Sequence, residues 1–275
     1  MPDTRLALVT GAAGGIGLGV GARLAQRGLT VIAVERNLEL AERATAAIGA
    51  GAIAVACDLS DRSSVAELSD RIEHEWGGRL DVVVFNAGVI IPGDAADTST
   101  PDLEFQLEIM LLSVLALANV TARVFRARNH GHILATVSMG GILAMPGSAA
   151  YAAAKAGLRA YLASLRGELR DTAVSVSGIY PSAVDTPMLF HEATHDGSLL
   201  NFVGRVSPID EVVNMFDMAL RSKRLEIYLP YSDSVLARFL QCFPWILPRI
   251  LGPLESMGRR GQSKYLATKR IGASA

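Results

Sequence analysis

Two hydrophobic rhythms alternate along the first 190 residues. Short unbroken apolar runs are each followed by a longer stretch in which apolar residues return every three or four positions. The first rhythm marks strands buried on both faces, and the second marks amphipathic helices. RLALVTG predicts strand one, and GIGLGVGARLAQRG predicts a helix closed by Gly28. LTVIAVERN and AIAVACDLSD predict strands two and three, with the helix of LELAERATAAIG between them. RSSVAELSDRIEHEWGG predicts the next helix and LDVVVFNAGV strand four. Residues 101–128 are mostly helical in pattern, GHILATVS is strand five, residues 149–171 form a helix, and VSVSGIYPSAV is strand six. Alternating helices and fully apolar strands predict a parallel sheet covered by helices on both faces.

With 275 residues, half of them hydrophobic and 19% charged, the chain can fill a large core and is not disordered. A net charge of −1 gives no global attraction to nucleic acid. The charge is uneven. Residues 221–275 hold 10 Lys or Arg and 3 Asp or Glu, a net of +7; removing these from the totals of 26 and 27 leaves 16 and 24, a net of −8, for residues 1–220. Two cysteines, Cys57 and Cys242, make neither a disulfide framework nor a metal cluster, which suits a reducing, cytoplasmic setting. MPDTRLALVTGAAGG breaks into a glycine turn too early for a signal peptide. No stretch of 18 or more residues lacks both charge and proline, so no membrane span is expected.

Between strand one and the first helix stands TGAAGGIG, Thr10 to Gly17. Backbone amides at a helix N-terminus attract phosphate, and glycines let a pyrophosphate come close. The spacing is G-x-x-x-G-x-G, through Gly11, Gly15 and Gly17. At the end of strand two comes Glu35, an acceptor for an adenosine ribose that also repels a 2′-phosphate. Position 14 is glycine, so the loop offers that phosphate no cation. NAD is therefore favoured, and NADP stays open because Arg36 follows Glu35.

In SAAYAAAKAGL, Tyr151 precedes Lys155 by one helical turn, so both project from one face. A neighbouring ammonium favours the phenolate and lowers a tyrosine pKa. Small neighbours leave room for a large ligand against the helix.

Taken together, TGAAGGIG, CDL with Asp58, NAG (Asn86, Ala87, Gly88), Ser138 and YAAAK stand in one order over residues 5–190. In this the chain resembles the short-chain dehydrogenase/reductases, in their single-domain branch. The resemblance implies a doubly wound Rossmann fold, three layers α/β/α, and hydride transfer with a nicotinamide dinucleotide. It also implies roles. Thr10, Gly11, Gly15, Ile16, Gly17, Glu35 and Arg36 surround the dinucleotide. Asp58 and Leu59 lie beside the adenine, and Asn86, Ala87 and Gly88 line the channel. Tyr151 is the acid/base, Lys155 lowers its pKa and holds the nicotinamide ribose, and Ser138 bonds the substrate oxygen. In YPSAVDTPM, Pro181 and Thr186 match the motif near the nicotinamide, while Ser182 replaces a usual glycine. Such proteins often form dimers or tetramers, so a homodimer or homotetramer is expected.

One departure concerns proton exchange. The family usually carries an asparagine in the helix after strand four, supporting a water relay behind the lysine. Here EIMLLSV puts Met110 at that place and Ser113 at the adjoining glycine's. A methionine cannot donate to such a relay, so a working but slow enzyme is expected. With Ser182, this motivates an alternative, an NAD-binding regulator with weak turnover. A second alternative comes from HEATH, His191 to His195, which matches H-E-x-x-H and could hold zinc with Glu192 as base. The following DGS breaks the helix and no third ligand is apparent, so no metal is expected.

The single domain, 1–275, is expected to carry a substrate lid at 188–212 and an apolar and basic extension at 232–275. SVLARFLQCFPWILPRILGPL has prolines that break any long helix. It is expected to cap the substrate pocket or meet another subunit; an anionic membrane surface is the alternative. Met188, Leu189, Phe190, Phe202, Phe239, Phe243 and Trp245 point to an apolar alcohol or ketone as substrate.

Overall fold

The computed structural model describes residues 5–49 and 51–272. Seven parallel strands form one sheet in the order β3-β2-β1-β4-β5-β6-β7. They are β1 Leu6–Thr10, β2 Thr30–Glu35, β3 Ile53–Ala56, β4 Leu80–Phe85, β5 His132–Thr136, β6 Ser175–Pro181 and β7 Glu226–Leu229. β1, β4, β5 and β6 are buried throughout, as their unbroken apolar runs require.

Helices cover both faces. On one side lie α1 (Gly15–Gln26), α2 (Leu38–Ile48) and α8 (Ile209–Ser222), whose buried residues join those of the sheet in one core. On the other lie α3 (Arg62–Asp70), α5 (Ser113–Arg128) and α6 (Ala149–Glu168), packed around Phe85, Phe125 and Trp76. α4 (Thr100–Leu107) runs through a π-helical segment, Glu108–Leu112, into α5. This continuous helix, Thr100–Arg128, is long and apolar enough to cross a membrane by length and composition. The expectation of no such stretch missed it. Its apolar face packs instead on the sheet through Val114, Leu117 and Phe125.

After β6 come α7 (Pro187–Thr194), a 3-10 turn at Leu199–Phe202, and α8. Both ends of this excursion are held together by Val184 and Ser207, which form a parallel bridge. Of the segment expected as a lid, Ile209 and Val212 belong to α8 and the rest lies within this excursion.

α9 (Tyr231–Cys242) and α10 (Leu247–Gly272) follow β7. The prolines do not shorten α10 as expected. Pro248 sits in its first turn, where no amide partner is required, and Pro253 interrupts the ladder inside a helix that continues. What holds α10 is tertiary packing. Gly258 and Gly261 press on the lid so closely that an added Cβ would lie 2.1 Å from Leu199 O and 2.0 Å from Phe202 O.

Candidate active site

The chain reverses direction across the sheet between β1 and β4. A crevice opens there, outside the strand carboxyl ends, and forms a cleft of about 650 Å3. One half is walled by backbone. A Cβ on Gly11 would lie 2.8 Å from Ala87 Cα, and one on Gly17 would lie 2.0 Å from Gly11 O. Gly11 also adopts φ +65°, which favours glycine. No side chain caps α1 and no acid occupies its first turn, so its first amides stay available to an anion. Glu35 is fixed at the end of β2, where Oε1 accepts from Ala13 N at 2.7 Å. This half fits a dinucleotide.

The cleft is lined by Gly11, Gly15, Ile16, Glu35, Arg36, Asp58, Leu59, Asn86, Ala87, Gly88, Ser138, Tyr151, Lys155, Pro181 and Thr186. Thr10 and Gly17 do not line it. Thr10 is buried, and its hydroxyl accepts from Asn86 N at 3.0 Å and Ala87 N at 3.1 Å, tying β4 to β1. Gly17 serves the loop's close packing instead. Asp58 is exposed at the rim, its Oδ1 accepting from Ser60 N and Oγ.

Tyr151 and Lys155 lie one turn apart on α6, with the ammonium 5.7 Å from the ring centroid. Lys155 Nζ donates not to the phenol but to Thr136 O at 2.8 Å. Thr136 Oγ1 donates to Asn86 Oδ1 at 3.0 Å, and Asn86 Nδ2 donates to Gly11 O at 3.3 Å. One chain of hydrogen bonds therefore joins the glycine loop to the lysine. Burial pushes the Tyr151 phenol up to about 12; a hydrogen bond with Ser138 opposes this and the charge of Glu192 adds to it. The direction is opposite to the lowering expected from Lys155, which burial itself brings down to about 8.

Ser138 has φ 80° and ψ 155°, a region almost reserved for glycine. Its Oγ accepts from Gly140 N at 3.2 Å. Gly140 and Gly141 hold this turn against α6. Added Cβ atoms would lie 3.0 Å from Tyr151 Cε1 and 2.8 Å from Lys155 O. The Gly-Gly pair following Ser138 was the available sequence signal; Thr136 had none.

Met110 is fully buried in the π segment, near Gly88. Ser182 has an ordinary negative φ and donates N–H to Leu229 O at 2.8 Å, so replacing glycine strains nothing there.

In the other half of the cleft the lid supplies side chains. Thr186 caps α7, accepting from Leu189 N. His191 and His195 stack 4.2 Å apart and are exposed, while Glu192 is buried and lines the cleft. Among the described residues, no three His, Cys, Asp or Glu gather as a metal site. Asn201 Nδ2 donates to Glu192 Oε1 at 2.9 Å. Burial pushes Glu192 up to about 7, with Asn201 opposing.

The extension packs on the segment around α7. Gln262 Nε2 donates to Ala193 O at 3.0 Å, Tyr265 OH to Asp185 Oδ1 at 2.9 Å, and Lys269 pairs with the same carboxylate.

A doubly wound sheet with a glycine-walled crevice at its switch point, and a tyrosine, lysine and serine gathered beside it, defines a nicotinamide-dependent oxidoreductase. The family model described as short chain dehydrogenase matches residues 5–196. A 1-deoxy-11-beta-hydroxypentalenate dehydrogenase from Streptomyces exfoliatus is 37% identical over 194 residues, 68% of this chain and 70% of its own. A short-chain dehydrogenase from Sphingobium yanoikuyae, solved with NADPH, shares the fold at TM-score 0.75 and 23% identity, over 82% of this chain and 88% of that one. A short chain dehydrogenase/reductase from Burkholderia phymatum, solved with NAD, does so at 0.76 and 21%, over 86% and 92%. The chain belongs to the short-chain dehydrogenase family and is an NAD(P)-linked oxidoreductase.

Proposed function

We propose that the chain interconverts a secondary alcohol and a ketone, with NAD as the preferred nucleotide and a mainly apolar substrate. The convergence of Ser138, Tyr151 and Lys155 between the glycine-walled half and the lid carries this reading. Glycines 11 and 15 with Ile16 would hold the pyrophosphate, Glu35 the adenosine ribose, Asp58 and Leu59 the adenine. Asn86, Gly88, Pro181 and Thr186 would flank the nicotinamide. When bound, that group supplies or accepts the hydride.

The protein's own contribution is the proton. Tyr151, held as phenol by its burial, gives its proton to the carbonyl oxygen during reduction and is left as phenolate; oxidation runs the same transfer backwards, the phenolate taking the carbinol proton. Ser138 receives the Gly140 amide at its oxygen, and its own proton, shared with the Tyr151 oxygen, is placed to turn to the developing oxyanion. Lys155 stays fixed by Thr136. Phe105, Ile109, Met145, Met188 and Leu189 exclude water from the far half.

Glu35 carries the NAD preference, because its carboxylate is pinned toward the loop where a 2′-phosphate would add like charge. The family's habit and the exposed Val235, Leu236, Phe239 and Trp245 support a homodimer or homotetramer, measurable by light scattering; flotation with anionic liposomes tests the membrane alternative.

The main test is calorimetric titration with NADH and with NADPH, followed by turnover of apolar ketones by wild type and Tyr151→Phe. Tighter NADH and a loss of about 10³-fold in the variant's kcat are expected. Tighter NADPH overturns the nucleotide preference, and undiminished turnover in the variant overturns the proton path.

A further inference from the structure

Glu192 stands out in the lid half of the cleft. It is a carboxyl only 8% exposed on an otherwise apolar stretch of α7, beside buried Leu189 and Ala193. It lines the same cleft as Ser138 and Tyr151, and its charge is felt at the Tyr151 phenol. Burying a carboxyl among apolar side chains is costly unless its acceptor capacity is used. Asn201 occupies Oε1 from the opposite side of the lid. Gly197 N donates to the Glu192 backbone carbonyl, and a Cβ on Gly197 would lie 2.5 Å from Glu192 Cβ, so the side chain's starting point is fixed.

We propose that Glu192 is a specificity-determining acceptor: the substrate carries, apart from its reacting carbonyl or carbinol, a hydroxyl or ammonium donor that docks on this carboxyl. The substrate class is then an apolar body with one donor, not a plain hydrocarbon ketone. This rests on the alcohol/ketone reading of the cleft. A site that hydrogen-bonds a substrate donor discriminates strongly against the analogue lacking it, because the site's buried polar group is left without a partner.

The test compares kcat/KM for 2-decalone, its distal-ring hydroxy derivatives and its distal-ring amino derivatives, in wild type, Glu192→Gln and Glu192→Leu. NADH binding by fluorescence confirms that each variant is folded. Wild type is expected to prefer one donor-bearing form over 2-decalone by about tenfold or more. In Glu192→Leu the ratio falls toward one. Glu192→Gln keeps a hydroxyl preference and loses an ammonium preference, which separates the two donors. Should Glu192→Leu not fold, Asn201→Ala replaces it, and the donor ratio must shift more than about twofold as the carboxyl loses its anchor. Ketone turnover without any donor preference, or a preference unchanged in these variants, overturns the proposal alone. No ketone turnover by wild type removes the alcohol/ketone reading, and this proposal with it.

Discussion

At the nucleotide end of the cleft, backbone meets backbone: Gly11 against Ala87, Gly17 against Gly11 O, with no space for a Cβ. At the substrate end the walls are side chains on α7 and the Leu199–Phe202 turn, held by the Val184–Ser207 bridge and by α10. The first arrangement accepts almost no change, because a methyl group has nowhere to go. The second can exchange one side chain for another while the sheet stays intact. Fixed chemistry and adjustable specificity therefore occupy opposite ends of one cavity, joined by the path from Gly11 O through Asn86 and Thr136 to Lys155.

The contrast breaks most readily at Gly17. Gly17→Val is expected to weaken NADH binding by about 10³-fold or to prevent folding, since overpacking against a rigid carbonyl has no soft neighbour. Fluorescence titration and a melting curve read both, and near-normal binding would show that the backbone wall is not rigid. At the junction, Ser138→Gly should lower kcat by about 10²-fold through the lost hydroxyl. The same change should stabilise the fold by about 1 kcal/mol, because glycine accepts φ 80° without strain. Urea unfolding beside steady-state rates checks the opposed signs.

A pH series sharpens the substrate end. Burial holds Glu192 near 7 in the folded chain against an ordinary 4.5. Its favourable contribution is complete below pH 4.5 and is lost as pH rises through 7. Wild type should lose stability relative to Glu192→Gln over that window, by on the order of 2 kcal/mol. Parallel curves for the two proteins would place the carboxyl in contact with solvent. The mildest change is Gly261→Val, which pushes α10 off Phe202 O. KM for a ketone should rise about tenfold while NADH affinity holds, because only the lid is displaced. A matching loss of NADH affinity would mean that the two ends do not separate.

Local spacing made much of this legible. Five of the six predicted strands announce themselves as apolar runs because both their faces are buried; β3, at the sheet edge with only Val55 buried, is apolar all the same. The glycine loop and the Tyr151–Lys155 turn are visible because each lies within one short segment. β7 was missed because Glu226–Leu229 is four residues long and only Ile227 is fully buried. α10 was hidden by prolines that its packing overrides. Thr136 and the Glu192–Asn201 pair converge from separate elements, which no spacing reveals. HEATH suggested a metal because its periodicity is right, yet spacing within one turn says nothing of a third ligand, and none gathers there among the described residues. The direction of the Tyr151 shift was misjudged because a neighbouring lysine can be read from spacing, whereas the depth at which both groups lie cannot.

The order in which the ribosome delivers these parts gives the α10 clamp another meaning. β1 through β6 and the glycine loop emerge before Leu199 and Phe202, and Gly258 and Gly261 emerge later still. A nascent chain can complete its dinucleotide crevice while the lid still lacks the helix that presses it shut. The helix that presses on Leu199 and Phe202 is therefore made after the segment it holds.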